Sequence, residues 1–358
     1  MPIAAEVQFW AQPSRHAKQH REYPMILTIL LLLGSAVTIY LACEYFVNGV
    51  EWAGLRLGVS KSAVGTVLAA FGTALPESVV TFVAVVFGQD AAQKDIGVGA
   101  ALGGPLVLST VAYAVVGLTF LACKKNKNGL LLAKRVRARL QDDQRWFMGV
   151  FICKVGLGLF AFIFKPWLGI FFLLAYGVYV WYEMRRVDEE GDGEIDLEPL
   201  KLRPNDTRPS TAWALFQTVS ALVVIFFASQ LFVHQLEVIG PWLGMPTQLV
   251  ALLFSPIATE LPEILNAVIW VRQGKQALAF GNISGSMMIQ ATIPSALGII
   301  FTPWLLNDAL LWAAAITMTS IAGLYVLMRA STLSAPRLAC FGMLYVVFGA
   351  GLLMSCSI

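Results

Sequence analysis

What most constrains this chain is a series of apolar runs of bilayer length, separated by short polar gaps. Taking a span as about 20 apolar residues, ten can be read: about 25 to 48, 63 to 88, 96 to 121, 147 to 164, 167 to 183, 212 to 235, 247 to 271, 277 to 302, 306 to 328 and 337 to 356. An outer-membrane barrel would alternate with period 2, and these runs do not. The expected fold class is therefore all-α, a polytopic membrane protein. Composition agrees, since 58% of the 358 residues are hydrophobic and 13% charged, against roughly 45–50% and ~25% in a soluble domain. The fourth and fifth spans are short and meet at a tight Lys165-Pro166 turn.

Lys and Arg accumulate in cytoplasmic loops, which orients the spans. The gaps after spans 1, 3, 5, 7 and 9, with Arg337 at the very start of span 10, hold 19 of them, and the other side, with the N-terminal tail, holds five. Both termini are thus predicted outside, in a plasma (inner) membrane. The chain divides into an outside tail (1–24), a first membrane repeat (25–183) with a basic cytoplasmic loop (122–146), an acidic cytoplasmic linker (184–211) and a second repeat (212–358). The tail precedes an apolar run with no small-residue cleavage site, so that run reads as an uncleaved first span. Part of the basic loop, residues 124–145, reads either as an interfacial helix on anionic lipid or as a solvated loop. A net charge of +3, scattered over loops, excludes a nucleic-acid footprint. Cys43, Cys123, Cys153, Cys340 and Cys356 form no CxxC pair, so neither a disulfide framework nor a zinc site is expected.

The two halves match each other. At an offset of 186 residues, Phe46-Val47 falls on Phe232-Val233, Glu51 on Glu237, Thr73 on Thr259, Leu75-Pro76-Glu77 on Leu261-Pro262-Glu263 and Gly88 on Gly274. At an offset of 182, Gly99 meets Gly281, Gly103 meets Gly285 and Thr110 meets Thr292. A shared T-x-L-P-E inside a hydrophobic span is not a composition effect. Each half has five spans, an odd number, so the second enters from the opposite face. The result is a pair of inverted five-helix repeats, a plan in which transporters place their site at the midplane.

The repeated motif also carries the chemistry. Proline has no N–H, so Pro76 and Pro262 free the carbonyls of Gly72 and Ala258 and break the helices at the site. Thr73 and Glu77 lie four apart on one face, as do Thr259 and Glu263, with Glu260 nearly on the same face. In the following span Ser286 and Gln290 continue a polar stripe from Asn282. Carboxylate, hydroxyl and freed carbonyl oxygens are ligands for a hard cation such as Ca2+ or Na+. A charge at mid-bilayer costs about 2.5–3.5 kcal/mol on the insertion scale, so three glutamates there are poorly explained by a kink alone. The Gly-x-x-x-Gly pairs at Gly99/Gly103 and Gly281/Gly285 suit close helix packing.

Other polar residues leave alternatives open. Glu44 lines an entry path or hydrates at the interface. Lys154 pairs with a carboxylate, snorkels, or marks a misplaced span. His234 is interfacial. The acidic run from Asp188 to Glu198 resembles an EF-hand loop, but Pro199 stands where the final bidentate Glu belongs, so a solvated linker is preferred.

The two T-x-L-P-E breaks, each followed by a G-x-x-x-G helix, resemble the paired α-repeats of the calcium/cation antiporter superfamily, which includes the Na+/Ca2+ exchangers. The resemblance implies ten spans and a site built from Glu77, Thr73, Glu263 and Thr259, with Ser286 and Gln290. Its motif usually reads G-T-S-x-P-E, followed by a helix with G-S-N-I-F-N or G-S-N-I-F-D. Here the motif serine is Ala74 in repeat 1 and Glu260 in repeat 2, and the serine and Asn/Asp positions of the following helix are Gly104 and Leu108 in repeat 1. The expected site therefore draws mostly on repeat 2.

The expected function is secondary-active cation antiport, exchanging Ca2+ for Na+ or H+ by alternating access around the midplane glutamates. A monovalent Na+/H+ exchanger is the nearest alternative, and a channel or an intramembrane enzyme the more distant ones. No enzyme is expected, because no nucleophile-base pair, His cluster or Asp-rich diphosphate motif is present. Nor is a cofactor: the inorganic cations are cargo, the bilayer is the surrounding partner, and a monomer suffices.

Overall fold

The structure, a computed structural model, describes residues 25–57, 74–123, 134–160, 164–188, 198–206 and 208–355. All regular structure among them is helical. The first half contains α1 (Met25–Arg56), α2 (Leu75–Phe87), α3 (Ala91–Val107), a π-helical turn (Leu108–Ala112), α4 (Tyr113–Ala122), α5 (Lys134–Leu159) and α6 (Lys165–Asp188). The second contains α7 (Thr211–Leu243), α8 (Thr247–Thr259), α9 (Leu261–Arg272), α10 (Gln276–Phe301), α11 (Asp308–Arg329), α12 (Ala335–Cys340) and α13 (Gly342–Ser355).

Among the described residues six helical stretches are long and apolar enough to cross a membrane: α1, α3 with α4, α7, α10, α11, and α12 with the start of α13. Burial ranks them. The spanning window of α10 is 83% buried and that of α3 with α4 is 72% buried, against 33% for α1 and 39% for α7. The glycine-rich helices are therefore central and the Leu- and Phe-rich ones peripheral. On α1 the exposed face is Ile26, Leu30, Leu33, Val37 and Leu41, and on α7 it is Phe216, Val219, Val223 and Phe227. Apolar stripes facing outward suit lipid, where no hydrophobic penalty attends exposure.

Three features of the structure refine the expected spans. The basic segment, left open between an interfacial helix and a solvated loop, is helical from Lys134, continuous with the fourth span to Leu159. Arg, Lys, Leu and Gln are good helix formers, and no proline interrupts that stretch. The tenth span is two helices that meet at Phe341. The sixth also runs past its expected end at 235, to Leu243, and closes on Gly244 in the left-handed region at φ 64°.

The packing partners follow the sequence duplication. α1 lies along α7, α3 along α8, and α2 along α10. Gly103 is what lets α3 approach α8, because a Cβ there would stand 2.5 Å from the carbonyl oxygen of Leu252 and 2.7 Å from Pro256. Hydrogen bonds between the helix ends fall into two groups, as alternate spans require. At one end Lys165 Nζ donates to the carbonyls of Pro303 and Trp304 at 2.8 and 2.9 Å, and Asn307 donates to Gln248, which donates to Asp95. At the other, Arg145 donates to Tyr325, Arg56 to the Pro209 carbonyl, and the later part of the linker, at Glu198, docks on α1 through Asn48 and Trp52.

Candidate functional site

Both motif prolines sit in the first turn of a helix. α2 begins at Leu75 and α9 at Leu261, so Glu77 and Glu263 each occupy a first turn. Free N–H groups at a helix N-terminus favour a carboxylate, which offsets part of the cost of placing these acids away from water. The second motif is a true break: α8 ends at Thr259, and Glu260 bridges to α9 at φ −95°, ψ −7°.

Glu77, Glu260 and Glu263 are all 0% exposed, as are Ser286 and Gln290, and Thr259 is 1% exposed. Thr259 Oγ1 lies 2.8 Å from Glu77 Oε2 and 3.0 Å from Glu260 Oε1, so it bridges the two repeats. Gln290 Nε2 donates to Glu260 Oε2 at 2.7 Å, and Ser286 Oγ is 3.5 Å from Glu263 Oε1. The carboxylates are thus linked through hydroxyl and amide groups. They do not converge directly, and among the described residues no three His, Cys, Asp or Glu side chains form a compact metal-ligand group. Three oxygens in this cluster, Glu77 Oε1, Glu263 Oε2 and Gln290 Oε1, are buried without a hydrogen-bond partner. Buried polar atoms are nearly always partnered, and orphaned acceptors of this kind are chemically suited to hold a cation or a proton.

Of the residues expected here, the structure brings together Glu77, Thr259, Glu260, Glu263, Ser286 and Gln290. Thr73, with Gly72 and the linker residues 189–197, lies outside the described residues. Thr292, at the end of the polar stripe, turns away and donates to the Met288 carbonyl of its own helix. Glu44 is held by Lys201 at 3.0 Å and is no part of the cluster. His234 is half-exposed beside Glu237, at 3.7 Å.

Two contributors were not anticipated. Ser255 Oγ donates to Glu77 Oε2 at 3.3 Å; its spacing of four residues before Thr259 placed it on the same face. Gly104 supplies space, since a Cβ there would lie 2.7 Å from Gln290 Oε1 and 3.0 Å from Glu260 Oε1. The missing side chain in repeat 1 makes room for the added carboxylate of repeat 2. Lys154 proves to be 0% exposed, which settles that it is neither snorkelling nor in a loop.

The chain is 26% identical over 293 residues to the putative antiporter CaxA of Alkalimonas amylolytica, covering 80% of this chain and 84% of that one. It is 24% identical over 279 residues to the inner membrane protein YrbG of Escherichia coli, covering 78% and 81%. Among solved structures, the sodium-calcium exchanger NCX_Mj matches with a TM-score of 0.56 at 20% identity, over 92% of this chain and 100% of that one. The H+/Ca2+ exchanger CAX matches with a TM-score of 0.70 at 15% identity, over 92% and 83%. These two establish a shared polytopic membrane fold. The sodium/calcium exchanger protein family matches residues 27–185 and 213–354, nearly everything on either side of the linker, and the chain belongs to that family.

Proposed function

We propose that this protein is a secondary-active antiporter that exchanges Ca2+ for Na+ or H+, by alternating access of two inverted five-span repeats around Glu77, Glu260 and Glu263. The observation that carries the reading is the buried cluster of three carboxylates with three unpartnered oxygens. Carboxylate, hydroxyl and amide oxygens form a set for a hard cation and a poor one for zinc or copper. The inverted plan is supported by the sequence duplication and by the pairing of α3 with α8 and of α2 with α10. In this reading both termini lie outside and the linker lies in the cytoplasm, which the charge asymmetry of the loops supports.

For the coupling ion, Thr259 favours H+. Its hydroxyl has one proton but stands at hydrogen-bond distance from two carboxylates. Both contacts are hydrogen bonds only when one carboxyl group itself carries a proton and donates to the hydroxyl oxygen. A proton held there while the site is empty is expelled when a cation enters. A monovalent exchanger remains the second reading, because Gly104 and Leu108 supply no side-chain oxygen from repeat 1. Proteoliposomes loaded with radiolabelled Ca2+ or Na+ and challenged with Na+ or H+ gradients decide. Ca2+ flux driven by either gradient supports the proposal, and Na+/H+ exchange without Ca2+ movement supports the second reading.

A further inference from the structure

A groove opens on the outer side of the molecule, away from the carboxylates. α5 and α6 both lie along α10 but scarcely touch each other, and the space between them is a cavity of about 420 Å3. Trp146, Gly149 and Cys153 line it at helical spacing along α5, and Phe171, Phe172 and Ala175 line it from α6. Gly149, Cys153 and Phe171 are exposed, so the groove faces lipid. Arg145 and Cys153 are eight residues apart on α5. At 1.5 Å per residue that is about 12 Å, close to the roughly 15 Å of hydrocarbon in one leaflet.

Gly149 is not explained by packing. A Cβ at Gly103 would strike α8, but one at Gly149 would meet nothing within 4 Å. Glycine inside a helix is destabilising relative to alanine, and here no close helix approach requires it. What it preserves is the width of the groove. An apolar groove open to the bilayer takes up an acyl chain, and Arg145, at its end, selects the lipid. The Arg145 guanidinium donates from Nε to Tyr325 Oη at 3.0 Å and from Nη1 to Asp142 Oδ1 at 3.0 Å, and lies 5.4 Å from the centre of the Tyr325 ring. These bonds use two of its five N–H donors, and the side chain is 56% exposed. The fork is therefore held in place with donors left over, and an ion pair with Asp142 at that exposure is weak. Tyr179 of α6 donates to Asp143 of α5, so the end of α6 lies beside the start of α5. Residues 134–145 and 183–188 together hold seven Lys and Arg against four Asp and Glu, which leaves this end of the groove positive.

We propose that the groove between α5 and α6 binds an anionic phospholipid of the leaflet on the basic side. Its acyl chain lies along Gly149 and Cys153 and its phosphate sits on Arg145. A planar guanidinium matches phosphate geometry better than a point charge does, and basic pockets between membrane helices suit anionic headgroups. The lipid fills a gap between two helices that both pack on α10, the helix that carries Ser286 and Gln290. The inference does not depend on which cation is carried.

The test uses the full-length protein, delipidated in detergent and mixed with phosphatidylglycerol or with phosphatidylcholine of the same acyl chains. Bound lipid is counted by native mass spectrometry. The parent should retain phosphatidylglycerol at least about five-fold over phosphatidylcholine, and Arg145→Gln, which keeps a donor for Tyr325, should lose about that factor. Gly149→Phe, which fills the groove from a position with open space, should lower retention of both lipids. Equal retention of the two lipids by the parent would overturn the proposal. So would a preference that survives both substitutions, because the anionic lipid would then lie elsewhere. A parent dimer in light scattering that Gly149→Phe dissociates would show that a second copy fills the groove, and that too would overturn it. If either variant is not recovered folded, Cys153→Phe takes its place, since it narrows the same groove from an exposed position; unchanged phosphatidylglycerol retention there overturns the proposal.

Discussion

Placing a serine at Gly104 tests whether the two repeats have exchanged volume. The new Cβ would meet Gln290 Oε1 at 2.7 Å and Glu260 Oε1 at 3.0 Å, closer than ordinary contact. Gln290 cannot simply swing aside, because its amide is held by a 2.7 Å bond to Glu260 Oε2. Either that bond breaks, at about 1.5–3 kcal/mol for a charged acceptor, or the site is overpacked at about 1–3 kcal/mol. Gly104→Ser should therefore raise the apparent KM for cation flux by roughly 5- to 150-fold, with the protein still folded. Glu260→Ser removes the carboxylate that fills this space. In that background the same Gly104→Ser change should cost less than about 0.5 kcal/mol, a coupling of about 0.5 kcal/mol or more between the sites. Flux in proteoliposomes for the parent, both single variants and the double variant measures it. Equal costs of Gly104→Ser in the two backgrounds would refute the idea that Glu260 occupies volume vacated by repeat 1.

The remaining expectations are simpler. Glu77→Gln and Glu263→Gln should each nearly abolish transport in a folded protein, since each removes a buried ionic oxygen while easing the cost of its burial; near-native flux in either would sink the assignment of the site. Glu44→Gln should be milder, because Glu44 is partly exposed and bound to Lys201. Deleting residues 189–197 should leave basal flux in place, whereas extending the cut through Glu198 removes the carbonyl that accepts from Asn48 and Trp52 and should lower thermal stability as well. Glu260→Ser should weaken the inhibition of transport by acid and reduce proton counterflow, read with a pH dye in the liposome lumen; a pH profile and proton flux identical to the parent's would exclude a coupling role for Glu260.

Most of the helical plan was legible because membrane spans advertise themselves by length and hydropathy, and because prolines and glycines punctuate them. The limits of the reading are equally physical. Charged residues left 134–145 open between an interfacial helix and a loop, yet a helix continues through Lys, Arg and Gln without difficulty when nothing breaks it, and α5 does so. Apolar run length likewise undercounted α7, whose last two turns include Glu237 and Pro241 before the turn at Gly244. Periodicity could place Glu260 beside Glu263 and Ser286 beside Gln290, since these are neighbours along one helix or across one break. It could not show that Gln290 reaches Glu260 or that Thr259 reaches Glu77, because contacts between segments depend on how the helices cross.

The sequence departures become intelligible as one arrangement only when these crossings are known. Repeat 1 gives up side-chain oxygens at Gly104 and Leu108, and repeat 2 gains a carboxylate at Glu260. Read along the chain, those are separate changes in segments far apart. In the fold, Gly104 faces Glu260 and Gln290, so loss of bulk in one repeat is the condition for the added acid in the other. Small residue and added acid thus form a single steric unit, and substitutions between them should be strongly non-additive, while changes on the lipid-facing stripes of α1 and α7 should leave cation affinity untouched.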